Sequence, residues 1–212
     1  ECSSYTPQGA QESACWPTKH LPSFTFSRLI SPIMKKLVAE LIGTFFLVSA
    51  IGHAVLSGNP LAPIAIGLML MTMVYSCGHI CKAHFNPAVT IALWLRGGFD
   101  SKDIVPYMTA QIVGSVLAAL GVVWLRGKGV PDVNAFEVMP LIVAELIGTF
   151  ALVWVILNVA FAKGTENNGF YGAAIGMVVT AGIFAFGDLS GAVFNPAVAV
   201  GAVAMGLIHV KY

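Results

Sequence analysis

Residues 39–48 read AELIGTFFLV and residues 144–153 read AELIGTFALV, so one apolar phrase is written twice in the chain. Asn86-Pro87-Ala88 returns as Asn195-Pro196-Ala197, each followed by Val, and Ala65-Ile66-Gly67 returns as Ala174-Ile175-Gly176. The first phrase recurs after 105 residues and the other two after 109. Three motifs in one order at nearly one spacing mean an internal duplication. In an apolar chain that is the pattern of a channel or transporter built from two related halves.

Composition places those halves in a bilayer. Hydrophobic residues make up 57% of the 212 and charged residues 10%, with mean hydropathy +0.83. A soluble domain carries about 25% charged residues. A net charge of +1 gives no case for a nucleic-acid partner. The four cysteines do not form a disulfide scaffold: Cys2 and Cys15 lie in a polar leader, Cys77 and Cys81 in or beside an apolar segment.

The leader, residues 1–33, is rich in Ser and Pro and reads as disordered, without a secretory apolar core. Five segments beyond it approach or exceed the roughly 20 helical residues that span hydrocarbon: about 34–57, 60–80, 102–125, 139–162 and 170–188. Two shorter apolar stretches start at the NPA motifs, about 86–96 and 195–207. Proline at the second motif position suits the first turn of a helix, where its missing N–H is not needed. Each stretch is therefore expected as a half-helix entering from one side. The fold class is an all-α membrane protein with a channel domain over 34–212, repeat one at 34–126 and an incomplete repeat two at 139–212.

Three spans and one half-helix fill the first repeat, so the second enters from the opposite face. The repeat is inverted, and the half-helices approach the midplane from opposite sides. Lys35, Lys36, Lys82 and the Lys163 loop fall on one face, which the positive-inside rule makes cytoplasmic, although Arg126 and Lys128 fall opposite. Two half-helix N-termini each carry about half a positive charge. Asn86 and Asn195 are expected to cap them and to aim amide N–H donors into a lumen, where a passing water is held and cations are opposed.

On these residues the chain resembles the aquaporin, or major intrinsic protein, family from about Met34 to Gly206. The stretch GHICKAHFNPAVTIALWLRGGF, the paired AELIGTF openings and Ala110-Gln111 carry the likeness. The resemblance implies an aquaporin-like fold, a homotetramer, and roles for matching residues. Glu40 and Glu145 would support the NPA loops through their backbones. His79 would line a vestibule, and Gly67 and Gly176 would let spans two and five pack closely. Gly172-x-x-x-Gly176 gives that packing reading independently.

Two departures stand out. The family's outer filter has four positions, which fall on Ile66, Ile183, Ala192 and Val198. Val198 stands where an Arg is usual, and all four are apolar. The second departure is a sixth span, which the resemblance implies; the 15 residues after Ala197 hold only the half-helix. The expectation is therefore five full spans of six, in a chain cut short, defective or completed by another polypeptide, the first being preferred. Cys77, His79, Cys81 and His84 lack paired zinc-ligand spacing, so no metal is expected. No cofactor is implied, and no nucleophile–base set or phosphate loop points to an enzyme.

The functional expectation is a passive channel for water and small neutral solutes such as glycerol, urea, ammonia or hydrogen peroxide. A non-conducting structural or regulatory protein on the same fold is the alternative. An inverted-repeat secondary transporter ranks behind both, because beyond Glu40 and Glu145 only Asp188 lies near a span to couple ions.

Overall fold

A computed structural model describes residues 31–131 and 136–209. The leader expected over 1–33 lies, up to residue 30, outside the described residues. Seven α-helices follow: α1 Pro32–Leu56, α2 Ala62–Cys81, α3 Pro87–Leu95, α4 Ser101–Arg126, α5 Val138–Ala160, α6 Tyr171–Ser190 and α7 Pro196–Met205. A 3₁₀ turn, Lys163–Thr165, joins α5 to α6. Five helices, α1, α2, α4, α5 and α6, are long and apolar enough to cross a membrane. All five expected spans and both half-helices are present, within about three residues of their expected ends.

Small residues set how closely the helices approach, since lipid offers apolar side chains no drive to leave it and packing must hold the helices together. A Cβ on Gly67 would stand 2.6 Å from the Gly176 carbonyl oxygen, and a Cβ on Gly176 would strike the Gly67 carbonyl. These matched glycines let α2 and α6 cross backbone to backbone. In the same way a Cβ on Gly114 of α4 would strike the Leu41 carbonyl of α1. Tyr75 ties the α2–α6 pair at one end: its hydroxyl donates to Gly169 O (3.0 Å) and accepts from Ala173 N (3.1 Å).

The halves are not equally covered. Helix α1 packs along both α2 and α4, whereas among the described residues α5 packs along α6 and touches α3 only briefly. Leu146, Phe150 and Trp154 of α5 are 60–66% exposed. Such a face suits lipid or another helix and would be costly in water.

Candidate functional site

The half-helices α3 and α7 point their N-termini at each other. Asn86 and Asn195 cap them with extended backbone. Asn86 Oδ1 accepts from Ala88 N at 2.8 Å, and Asn195 Oδ1 accepts from Ala197 N at 2.9 Å. Pro87 and Pro196 occupy the first helical position, where no N–H is required.

Each cap also reaches across the junction. Asn86 Nδ2 donates to Phe194 O (2.9 Å), and Asn195 Nδ2 donates to Phe85 O (2.8 Å). A primary amide has two N–H donors, so one of each pair locks the opposite loop and the other has no protein partner among the described residues. Each amide thus keeps one donor beyond the loop carbonyl that it serves. This cross-bonding has no signature in the sequence.

The loops leading into the caps repeat their backbone as well as their motif. Lys82, Ala83 and Phe85 have φ of 65°, 49° and 48°; Gly191, Ala192 and Phe194 have 81°, 50° and 49°. A left-handed conformation outside glycine costs of order 1–3 kcal/mol per residue and persists only where surroundings hold it. The carboxylates hold it here. Glu40 accepts from His84 N (2.8 Å) and Phe85 N (2.7 Å), and Glu145 accepts from Val193 N (2.9 Å) and Phe194 N (2.6 Å). The phenyl rings complete the fit, since a Cβ on Gly43 would overlap the Phe85 ring and one on Gly148 the Phe194 ring.

The first half carries more support. Gln111 Nε2 donates to Glu40 Oε2 (2.8 Å) and to Thr90 Oγ1 (3.1 Å), and Thr90 Oγ1 lies 3.1 Å from His84 Nδ1. Ser115 Oγ donates to Ala197 O at 2.6 Å, so α4 also steadies α7. Glu40 is fully buried and Glu145 only partly. Thr90, Gln111 and Ser115 had no assigned role from sequence. Gln111 was visible only as part of a family-like pair.

Two cavities share Ala83, Val89, Ile156 and Ile175 in their walls. One, the outer in the expected orientation, is about 350 Å³ and is lined by Asn86, Asn195 and all four expected filter residues, Ile66, Ile183, Ala192 and Val198. The inner one, about 640 Å³, is lined by His79, Lys82 and the 163–168 loop. His79 is exposed and stands in the wall of the expected vestibule. Among the described residues the carbonyls of Ala83, His84, Ala192 and Val193 accept no hydrogen bond from protein. Irregular backbone of this kind at membrane depth needs water or protein around it. Cys77 and Cys81 are buried free thiols. Among the described residues no three His, Cys, Asp or Glu side chains converge as metal ligands.

Comparison with known proteins agrees with this geometry. The family model of the major intrinsic proteins matches residues 27–211. Aquaporin NIP1-2 of Arabidopsis thaliana is 37% identical over 193 residues, covering 80% of this chain and 64% of that protein. Nodulin-26 of Glycine max is 37% identical over 198 residues, covering 85% and 70%. This chain therefore spans about two thirds of the length of these curated relatives. The X-ray structure of the aquaglyceroporin from Plasmodium falciparum superposes with a TM-score of 0.72 at 21% identity, covering 82% of this chain and 81% of that one. It is a likeness of fold.

Proposed function

This chain belongs to the major intrinsic protein family, and from that premise we propose that it is a passive transmembrane channel for water and small neutral solutes. It is an integral, multi-pass membrane protein with five apolar spans. The observation that carries the proposal is the junction of α3 and α7, where two capped N-termini meet in the wall of a cavity and each keeps one amide donor. The chemistry is passive: donors, dipoles and a bore.

In this reading Asn86, Pro87, Ala88 and Asn195, Pro196, Ala197 form the midplane of the pore. Ile66, Ile183, Ala192 and Val198 form its outer filter, and His79 its inner vestibule. Glu40 and Glu145 hold the loops. Four copies assemble, each with its own pore. The lumen passes neutral molecules because the facing helix N-termini oppose cations. Without an arginine at position 198 that opposition rests on the asparagines and the dipoles alone, and solutes such as glycerol, urea, ammonia or hydrogen peroxide join water as candidates.

Stopped-flow light scattering on proteoliposomes tests this. Water flux well above that of empty vesicles, with the low activation energy of a pore, is the expected result. Flux equal to empty vesicles from a monodisperse sample would favour a non-conducting membrane protein on the same fold.

A further inference from the structure

Four side chains line both cavities, and so form the neck between them: Ala83, Val89, Ile156 and Ile175. All four are aliphatic and buried. The 109-residue offset of the repeat carries three of them onto the outer filter: Ala83 onto Ala192, Val89 onto Val198 and Ile66 onto Ile175. The residue types are identical at each of these pairs. The outer filter residues line only the outer cavity. The lumen thus contains two aliphatic rings in series, set on either side of the Asn86–Asn195 junction by the inverted repeat.

We propose that this neck is a second selectivity element, and that the two rings together pass small neutral solutes with little hydrogen-bonding capacity, ammonia-sized, ahead of polyols. The inference rests on the channel reading above. Among side chains lining the outer cavity only His84, Asn86 and Asn195 are polar. Of these, His84 joins Thr90 Oγ1 through Nδ1 while its Nε2 has no partner, and each asparagine gives one donor to the opposite loop and keeps the other. A solute crossing either ring meets no side-chain donor or acceptor from it and only one free backbone carbonyl, Ala83 O in the neck and Ala192 O in the filter, so a solute with several hydroxyls leaves water for fewer partners than it had. A hydroxyl that leaves water without a new partner is penalised strongly. Glycerol carries three hydroxyls through each ring, whereas ammonia carries a single small group. An apolar constriction excludes by dehydration in this way without closing.

Two barriers in series make a distinctive test. Val to Thr keeps shape and adds one hydroxyl. The variants are Val89→Thr in the neck, Val198→Thr in the filter, and both together, with Ala83→Ser replacing Val89→Thr in a second pair. Proteoliposomes are loaded with each, ammonia entry is read from an internal pH dye, and water and glycerol entry are read from light scattering.

The wild type is expected to pass ammonia above the empty-vesicle rate and glycerol near that rate. Either single change should raise glycerol entry by no more than about twofold, because the other ring still limits flux. The double change should raise it roughly tenfold. A full rise from Val198→Thr alone would remove the neck as a selectivity element. Glycerol entry that stays at background in both double variants would do the same, as would wild-type glycerol entry as fast as ammonia. Water and ammonia flux at the empty-vesicle rate in every sample would instead overturn the channel reading, and the neck proposal with it.

Discussion

Asn86 and Asn195 clasp each other's loops: the amide of each donates to the carbonyl of the residue just before the other, at 2.9 and 2.8 Å. The two half-helices are therefore joined by side-chain bonds at the point where their N-termini would otherwise repel. Each asparagine serves as a cap and a cross-link, and in the proposed pore as a lumen donor too.

Asn86→Ala removes the cap of α3 and leaves the Phe194 carbonyl without its donor. Losing a cap costs about 1 kcal/mol, and an unsatisfied buried carbonyl about 1–3 kcal/mol. The expected loss is roughly 2–4 kcal/mol of stability, seen as a lower thermal midpoint in detergent. Ile91→Ala on the exposed side of α3 is the control. Equal shifts from the two would show that the clasp contributes little.

Glu40 and Glu145 occupy matched positions with unequal support. Glu40 accepts three hydrogen bonds in full burial, and Glu145 accepts two in partial burial. Gln at either site turns an amide N–H toward a backbone N–H and forfeits a charge-assisted bond of about 1.5–3 kcal/mol. Glu40→Gln is expected to be the more damaging, because the Gln111 amide also loses its carboxylate. Unfolding midpoints of the two variants in one detergent give the order, and the reverse order would contradict this account.

The fit of Phe85 over Gly43 leaves no room for a methyl group. Gly43→Ala is expected to cost about 1–3 kcal/mol by overpacking, despite the better helix propensity of alanine. Pairing it with Phe85→Leu, which takes away the ring, should recover part of that loss. A double variant no better than Gly43→Ala alone would place the strain elsewhere. The Gly148–Phe194 pair should behave alike, but less sharply, because α5 is less enclosed and can shift.

Much of this architecture could be read from the sequence because it is written in periodic and repeated form. Long apolar runs gave the five spans, and Asn-Pro before short apolar runs gave the half-helices. What stayed hidden depends on three-dimensional competition for single atoms. Nothing local to Asn86 says that one of its donors goes to Phe194 O, 108 residues away. Thr90 and Gln111 look like ordinary helix residues until Gln111 is seen bridging Glu40 and Thr90. The proposed neck lies between these cases. The offset that relates Ile66 to Ile175 also relates Ala83 to Ala192 and Val89 to Val198, so three of its residues were legible. Ile156 was not, because the 105-residue offset of α1 and α5 carries it onto Ile51, which is no filter position.

Val198 stands in the first turn of α7, lines the outer cavity and is 5% exposed. Val198→Arg places a guanidinium among Ile66, Ile183 and Ala192, where four apolar groups now stand. A cation there adds a positive barrier outside the Asn86–Asn195 junction and narrows the bore. Glycerol and urea entry into proteoliposomes should fall, and any proton leak should fall with them, while water entry is reduced less because water is smaller and can bond to the new donors. The guanidinium has no acidic partner among the other filter residues, so it must stay hydrated in the cavity, and a drop in thermal stability is expected alongside. Solute entry unchanged from the wild type, in a variant that folds, would show that position 198 does not border the path and that the filter assignment is wrong.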